Sequence, residues 1–205
     1  MTLRRLSAAL LALAVVATIV TRIALNIEAN GYSLPEAVWR IYRYFTIWTN
    51  TAVGLAAALI ALRGRLDGRI SGGLVMAIAA VGVVYHLLLA SENSYVGLEW
   101  LIDATFHTFV PVWFSLHWLA FEPKAQVSWR SLPLWLAYPT IYCAYALIRG
   151  LFDGEFPYFF LDPGKQGMLG ILAWMLALIT AFAIAGALIV LLARALQPRQ
   201  VAQRG

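Results

Sequence analysis

Asp103, His107 and Pro111 follow one another at four-residue intervals inside a long apolar stretch, so a helix would stack them on one face. An imidazole beside a carboxylate can carry protons, but both are costly in hydrocarbon. On insertion scales a central aspartate costs roughly 2.5–3.5 kcal/mol, so such groups seldom persist there without a use. A second polar spot, Thr46 with Asn50, stands near the start of another apolar run, in Tyr44-Phe45-Thr46-Ile47-Trp48-Thr49-Asn50. Its hydroxyl and amide could serve the first spot if the two face each other. The bland reading is also open: Thr46 bonding its own backbone one turn back, and the Asp103–His107 pair pinning one helix to its neighbours.

Composition defines what must position these groups. Of 205 residues, 62% are hydrophobic and 12% are charged, where a soluble domain carries roughly 25% charged residues. Mean hydropathy is +0.77. Several apolar runs reach or approach the roughly 20 residues needed to cross the hydrocarbon core. The chain therefore reads as an all-α, polytopic membrane protein. One six-helix transmembrane domain fills residues 1–205, with spans over about 6–25, 43–62, 72–90, 98–121, 132–151 and 168–193. Loops are short, so sequence neighbours are expected to pack antiparallel. Arg4 and Arg5 before the first run also fit a signal peptide. The run is long for one and lacks a clean small-residue cleavage site, which favours a retained helix.

Positive charge sets the expected orientation. Arg4, Arg5, Arg63, Arg65, Arg69, Lys124, Arg130, Arg194, Arg199 and Arg204 fall on one side, ten in all. Only Arg22, Arg40, Arg43, Arg149 and Lys165, five in all, fall on the other. Both termini are thus expected in the cytoplasm, and the chain is expected to be a multi-pass protein of the plasma (inner) membrane. The net charge of +5 resides in these loops, where it meets lipid headgroups, and gives no reason to invoke nucleic acid. The single cysteine, Cys143, excludes an internal disulfide and a thiolate metal cluster.

With that orientation the polar residues of the spans collect in the outer half. Thr46 and Asn50 belong to span two, His86 to span three, Glu99, Asp103 and His107 to span four, and Tyr142, Tyr145 and Arg149 to span five. The inner halves are nearly all Leu, Ala, Ile and Val. A polar pocket open outward is the expected result. Ser33-Leu34-Pro35-Glu36 fits a capping box that starts an interfacial helix before span two, with Glu36 reaching back to the Ser33 amide. The Phe156–Pro163 segment reads as an interfacial loop that covers the mouth of the pocket. His86 and His117 lie near membrane boundaries, where a satisfied histidine is the plainer reading. Glu99, Asp103, His107 and His86 are suitable in type for zinc, but no HExxH or i, i+4 histidine pair accompanies them. No metal and no cofactor is expected.

The six short-looped spans, Arg43-Tyr44-Phe45-Thr46 at the head of span two and His107-Thr108 followed by Pro111 resemble the androgen-induced membrane proteins and their six-helix bacterial relatives. The Phe156–Asp162 segment resembles that family's aromatic-proline motif before its last span. Animal members are threonine hydrolases of fatty-acid esters of hydroxy fatty acids, and the resemblance maps their Thr and His onto Thr46 and His107. It does not assign Asp103, which stands where an animal member has an amide. On this reading His107 takes the Thr46 proton, an acyl-enzyme forms, and Asp103 orients the imidazole. Asn50, His86 or a tyrosine would stabilise the oxyanion. The partners implied are membrane lipids and a lipid ester substrate. A small transporter, a ligand-binding membrane protein and a noncatalytic scaffold are the alternatives. Helix rise puts Thr46 roughly 5 Å into its span and His107 about 9–14 Å into its own, an offset that tilt closes only at its lower end.

Overall fold

A computed structural model describes residues 2–92 and 94–197; Arg199 and Arg204 of the charge count lie outside the described residues. Among the described residues there is no strand. The helices are α1 (Leu3–Asn30), α2 (Leu34–Ile41), α3 (Phe45–Arg63), α4 (Gly68–Val84), α5 (Gly97–Ala104), α6 (Val110–Phe121), α7 (Leu132–Asp153) and α8 (Pro163–Ala195). A π turn, Tyr85–Leu89, extends α4, and a second, Thr105–Phe109, joins α5 to α6.

Five helical runs among the described residues are long and apolar enough to cross a membrane: Leu3–Asn30, Phe45–Arg63, Gly68–Leu89, Trp129–Asp153 and Pro163–Ala195. The region expected as span four is a continuous helical path from Gly97 to Phe121. Its polar residues, Glu99, Asp103, His107 and His117 among them, lower its hydropathy, and it is not one of the five. The aliphatic residues that a soluble protein would bury point outward instead. Leu62 is 78% exposed, Leu151 76% and Leu176 68%. Outward apolar faces on several helices are what hydrocarbon solvates and water does not.

α4 lies at the centre, against α3, α6, α7 and α8, while α1 packs on α3 and α6. The core beneath the polar level is made of Leu11, Val15, Val53, Met76, Ile78, Phe114 and Trp118, each at most 1% exposed. Close helix approach in lipid depends on small residues. A Cβ at Gly54 would stand 2.8 Å from Val15 Cγ1, so that glycine lets α1 lie on α3.

Local chemistry sets the boundaries. Asp67 caps α4 by accepting from the Arg69 amide, and bonds to Arg69 hold its carboxyl below the usual range. Ser33 Oγ accepts from the Glu36 amide as the capping box requires, whereas the Glu36 carboxylate is bonded to Arg40 one turn on. Gly167 breaks α8, with φ 65° and ψ 172°, and no atom stands within 4 Å of an added Cβ there.

Candidate functional site

α3 has a recessed beginning. The chain leaves α2 at Ile41 and passes through Tyr42-Arg43-Tyr44, and other elements hold the backbone of that link. Tyr142 OH donates to the Arg43 carbonyl at 2.7 Å, and Tyr145 OH and Trp48 Nε1 donate to the Tyr42 carbonyl at 3.1 and 2.8 Å. The Arg43 guanidinium, only 5% exposed, donates to Asp153 at 2.9 Å and lies 3.0 Å from Glu155. Thr46 is the second residue of α3, directly after this anchored link.

Thr46 Oγ1 and His107 Nε2 are 3.3 Å apart. His107 Nδ1 lies 3.0 Å from the Asp103 carbonyl and 3.1 Å from Asp103 Oδ1. Both acceptors call for a proton on Nδ1, so the neutral ring presents its Nε2 lone pair to the threonine hydroxyl. The π turn produces this alignment. Pro111 has no amide hydrogen for the His107 carbonyl, and Val110 N–H bonds Thr105 O five residues back. Gly82 admits the widened turn, since a Cβ there would stand 3.1 Å from His107 O.

Tyr85, in the facing π turn, completes the imidazole's setting. Its hydroxyl donates to Asp103 Oδ2, and its ring stacks on His107 with centroids 3.8 Å apart and planes 10° from parallel. Tyr158, from the loop between α7 and α8, reaches Thr46 from the opposite side. Its hydroxyl accepts from the Phe45 amide at 3.0 Å, one residue before Thr46. Burial pushes its pKa up to about 12.

Two other expected residues stand elsewhere. Asn50 is wholly buried, but its Nδ2 donates to the carbonyls of Thr46 and Phe106 at 2.9 and 3.3 Å. It ties α3 to the π turn and does not line the cavity. His86 is exposed and bonded to Thr108 Oγ1 at 2.9 Å, on the far side of Tyr85. Neither aims a donor at Thr46. Among the described residues no group of three or more His, Cys, Asp or Glu is placed to hold a metal ion.

Two cavities meet at the threonine. A polar chamber of about 440 Å³ is bounded by Arg22, Arg43, Tyr95, Glu99, Asp103 and His107. A narrow apolar cleft lies between α4, α7 and α8, against Phe45, Val84, Pro139, Cys143, Leu178 and Phe182. Thr46, Tyr85, Leu89 and Tyr158 border both. The chamber's cations are matched: Arg22 with Glu99 at 2.6 Å, Arg40 with Glu155 at 3.4 Å, and Arg43 with Asp153 and Glu155. The loop expected to cover the pocket supplies Pro157 and Tyr158 to the chamber, and Tyr158, Phe160 and Leu161 to the cleft.

Fold and site together fit a helical membrane protein in which a hydroxyl, an imidazole and a carboxylate meet at the junction of a polar chamber and an apolar cleft. Comparison with known proteins returns no matching family model, no matching curated protein and no matching solved structure. The likeness to the androgen-induced membrane proteins therefore stands on the sequence motifs alone.

Proposed function

We propose that the chain is an intramembrane hydrolase of lipid esters, with Thr46 as nucleophile and His107 as general base and acid. The observation that carries this reading is the 3.3 Å separation of Thr46 Oγ1 and His107 Nε2 at the meeting point of the two cavities. Attack by Oγ1 on the ester carbonyl forms the acyl–oxygen bond as the hydroxyl proton passes to Nε2. Collapse breaks the bond to the leaving oxygen, which takes that proton back from Nε2. Water repeats the sequence and frees Thr46. Asp103 holds the ring's Nδ1–H throughout, and Tyr85 in turn fixes the carboxylate.

The apolar cleft suits an acyl chain and the chamber suits a polar headgroup, so the ester bond falls between them. Gly97–Phe121 serves as the sixth crossing: its 25 residues amount to roughly 37 Å of helix, enough to span hydrocarbon. Both termini then lie in the cytoplasm, the chamber faces outward, and the protein resides in the plasma membrane of a bacterium. The packed Phe114 and Trp118 beneath the site support a closed pocket over a conduit. A reporter active only in the cytoplasm, fused after Gly205, should be active; an expressed but silent fusion reverses the orientation.

The test of activity is hydrolysis of para-nitrophenyl octanoate by the purified protein in detergent. Wild type should turn it over, and Thr46→Ala and His107→Ala should not. Turnover that survives both changes excludes these roles.

A further inference from the structure

We infer that the Tyr158 hydroxyl is the oxyanion donor of this site, a catalytic residue beyond Thr46 and His107; this rests on the hydrolase reading above. A threonine ester attacked at the junction needs a hydrogen-bond donor beside the carbonyl oxygen, in place before the charge develops. Asn50 cannot be that donor, because its amide hydrogens go to two main-chain carbonyls. His86 cannot either, since it is bonded to Thr108 on the exposed side. The Tyr85 hydroxyl is donated to Asp103. Tyr158 borders both cavities together with Thr46, and its hydroxyl sits on the amide of Phe45, the residue before Thr46.

The hydrogen-bond inventory around Tyr158 points its proton at the reacting atoms. A phenol offers one donor and two acceptor positions. The Phe45 amide fills an acceptor position at 3.0 Å. That amide is an otherwise orphaned first-turn N–H of α3, because the N-cap residue Tyr44 makes no side-chain cap. The phenol oxygen thus takes over the capping of α3, at the positive end of the helix dipole, which polarises its O–H. The neighbouring Tyr142 hydroxyl donates its own proton to the Arg43 carbonyl. The Tyr158 proton is thus left to turn toward the reacting atoms at Thr46. Once Oγ1 bonds to carbon, the adjacent carbonyl oxygen takes the π electron pair and becomes the stronger acceptor. Tyr158 donates to it and keeps its proton throughout. With its pKa near 12 the phenol stays protonated across the neutral range.

The Tyr44 and Phe160 rings flank the phenol at 6.1 and 4.9 Å and hold it in place. Tyr158→Phe keeps these contacts and removes only the hydroxyl. With para-nitrophenyl octanoate, kcat should fall about a hundred- to a thousandfold, the size seen for loss of one oxyanion donor, with KM little changed. A capping role alone would lower the melting temperature and leave kcat of the folded fraction intact. The matching thionoester separates the two further. Sulfur is a poor hydrogen-bond acceptor, so the preference for oxygen over sulfur should collapse in Tyr158→Phe if the donor is real.

Should Tyr158→Phe fail to fold, difluorotyrosine installed at position 158 retains ring and hydroxyl with a more acidic phenol. The alkaline fall of kcat/KM should then begin at lower pH than with tyrosine. An unchanged kcat, an unchanged oxygen-to-sulfur preference or an unmoved alkaline limb overturns the assignment. Thr46→Ala in the same assay keeps the two readings apart. If Thr46→Ala is dead and Tyr158→Phe is normal, only the donor falls. If Thr46→Ala is active, or wild type is inert, the hydrolase reading falls as well.

Discussion

Two hydroxyl–imidazole–carboxylate sets occupy opposite ends of this bundle. The outer one, named for the proposed orientation, is Thr46, His107 and Asp103. The inner one is Ser7, His117 and Glu122, with Ser7 Oγ 3.1 Å from His117 Nδ1 and His117 Nε2 3.3 Å from Glu122 Oε1. By distance alone the inner set is the closer hydroxyl–imidazole pair. Its surroundings differ in every other respect. Ser7 Oγ already accepts from Trp113 Nε1 at 3.1 Å, and Glu122, with a fully buried side chain, is gripped by Arg4 Nε and Nη2 at 3.1 and 3.2 Å. His117 Nε2 faces Glu122 without hydrogen-bond alignment. None of the three borders either cavity described above, whereas the outer trio lines a chamber of about 440 Å³. A nucleophile needs room for its electrophile as well as a base. The inner set fastens α1 to α6, and the outer one has space to work.

Exchanging the two hydroxyls should show the largest difference. Thr46→Ala should abolish ester turnover, and His107→Ala should cost at least about 10²–10⁴-fold through loss of the general base. Ser7→Ala should leave kcat within about twofold, because no proton transfer there reaches substrate. Equal losses at both ends would erase the distinction.

Stability should show the reverse. Arg4→Met strands the buried Glu122 carboxylate, and breaking such a pair costs about 3–5 kcal/mol. With Arg4 partly exposed, about 3 kcal/mol is expected, read as a lowered unfolding midpoint in detergent with turnover per folded molecule unchanged. A loss of activity without loss of stability would place the inner cluster in the chemistry.

Asp103→Asn should have an intermediate effect. Hydrogen bonds to charged groups are worth about 1.5–3 kcal/mol, or roughly ten- to a hundredfold in kcat. The Asp103 carbonyl still holds His107 Nδ1, which keeps the loss below that of His107→Ala. A loss as large as that of His107→Ala would mean that the carboxylate does more than orient.

The smallest effect belongs to the rim. Arg22 and Glu99 pair with side chains about one-third and two-fifths exposed, and such pairs contribute about 0–1 kcal/mol. Arg22→Gln should therefore change kcat by less than about twofold. A larger change would move the headgroup contact to the mouth of the chamber.

The legible and illegible parts of this site differ in a physical way. Depth along a helix is readable, because each residue adds roughly 1.5 Å. Rotation about the helix axis is not readable where the helix is irregular. Each π turn inserts a residue and swings later side chains to a new face. The first turn brings Tyr85 to the site and sends its neighbour His86 outward to Thr108. The second aligns Asp103 with His107, a pairing that an i, i+4 spacing alone makes poorly. Asn50 has the expected level and helix but points between backbones. Tyr158 was hidden for another reason: among nine tyrosines in an aromatic-rich membrane protein, one in a loop reads as an interfacial anchor. Its one distinguishing signal was its place in the aromatic-proline segment. The five helices long and apolar enough to cross a membrane follow from apolar length, whereas polar groups set the Gly97–Phe121 run apart.

The most direct measurement is the site of covalent modification. Purified protein treated with a fluorophosphonate and digested should yield one modified peptide by mass spectrometry, with the adduct on Thr46 and none after His107→Ala. An adduct on Ser7 or any other residue, or ester turnover that persists with Thr46 unmodified, would contradict the assignment of the nucleophile.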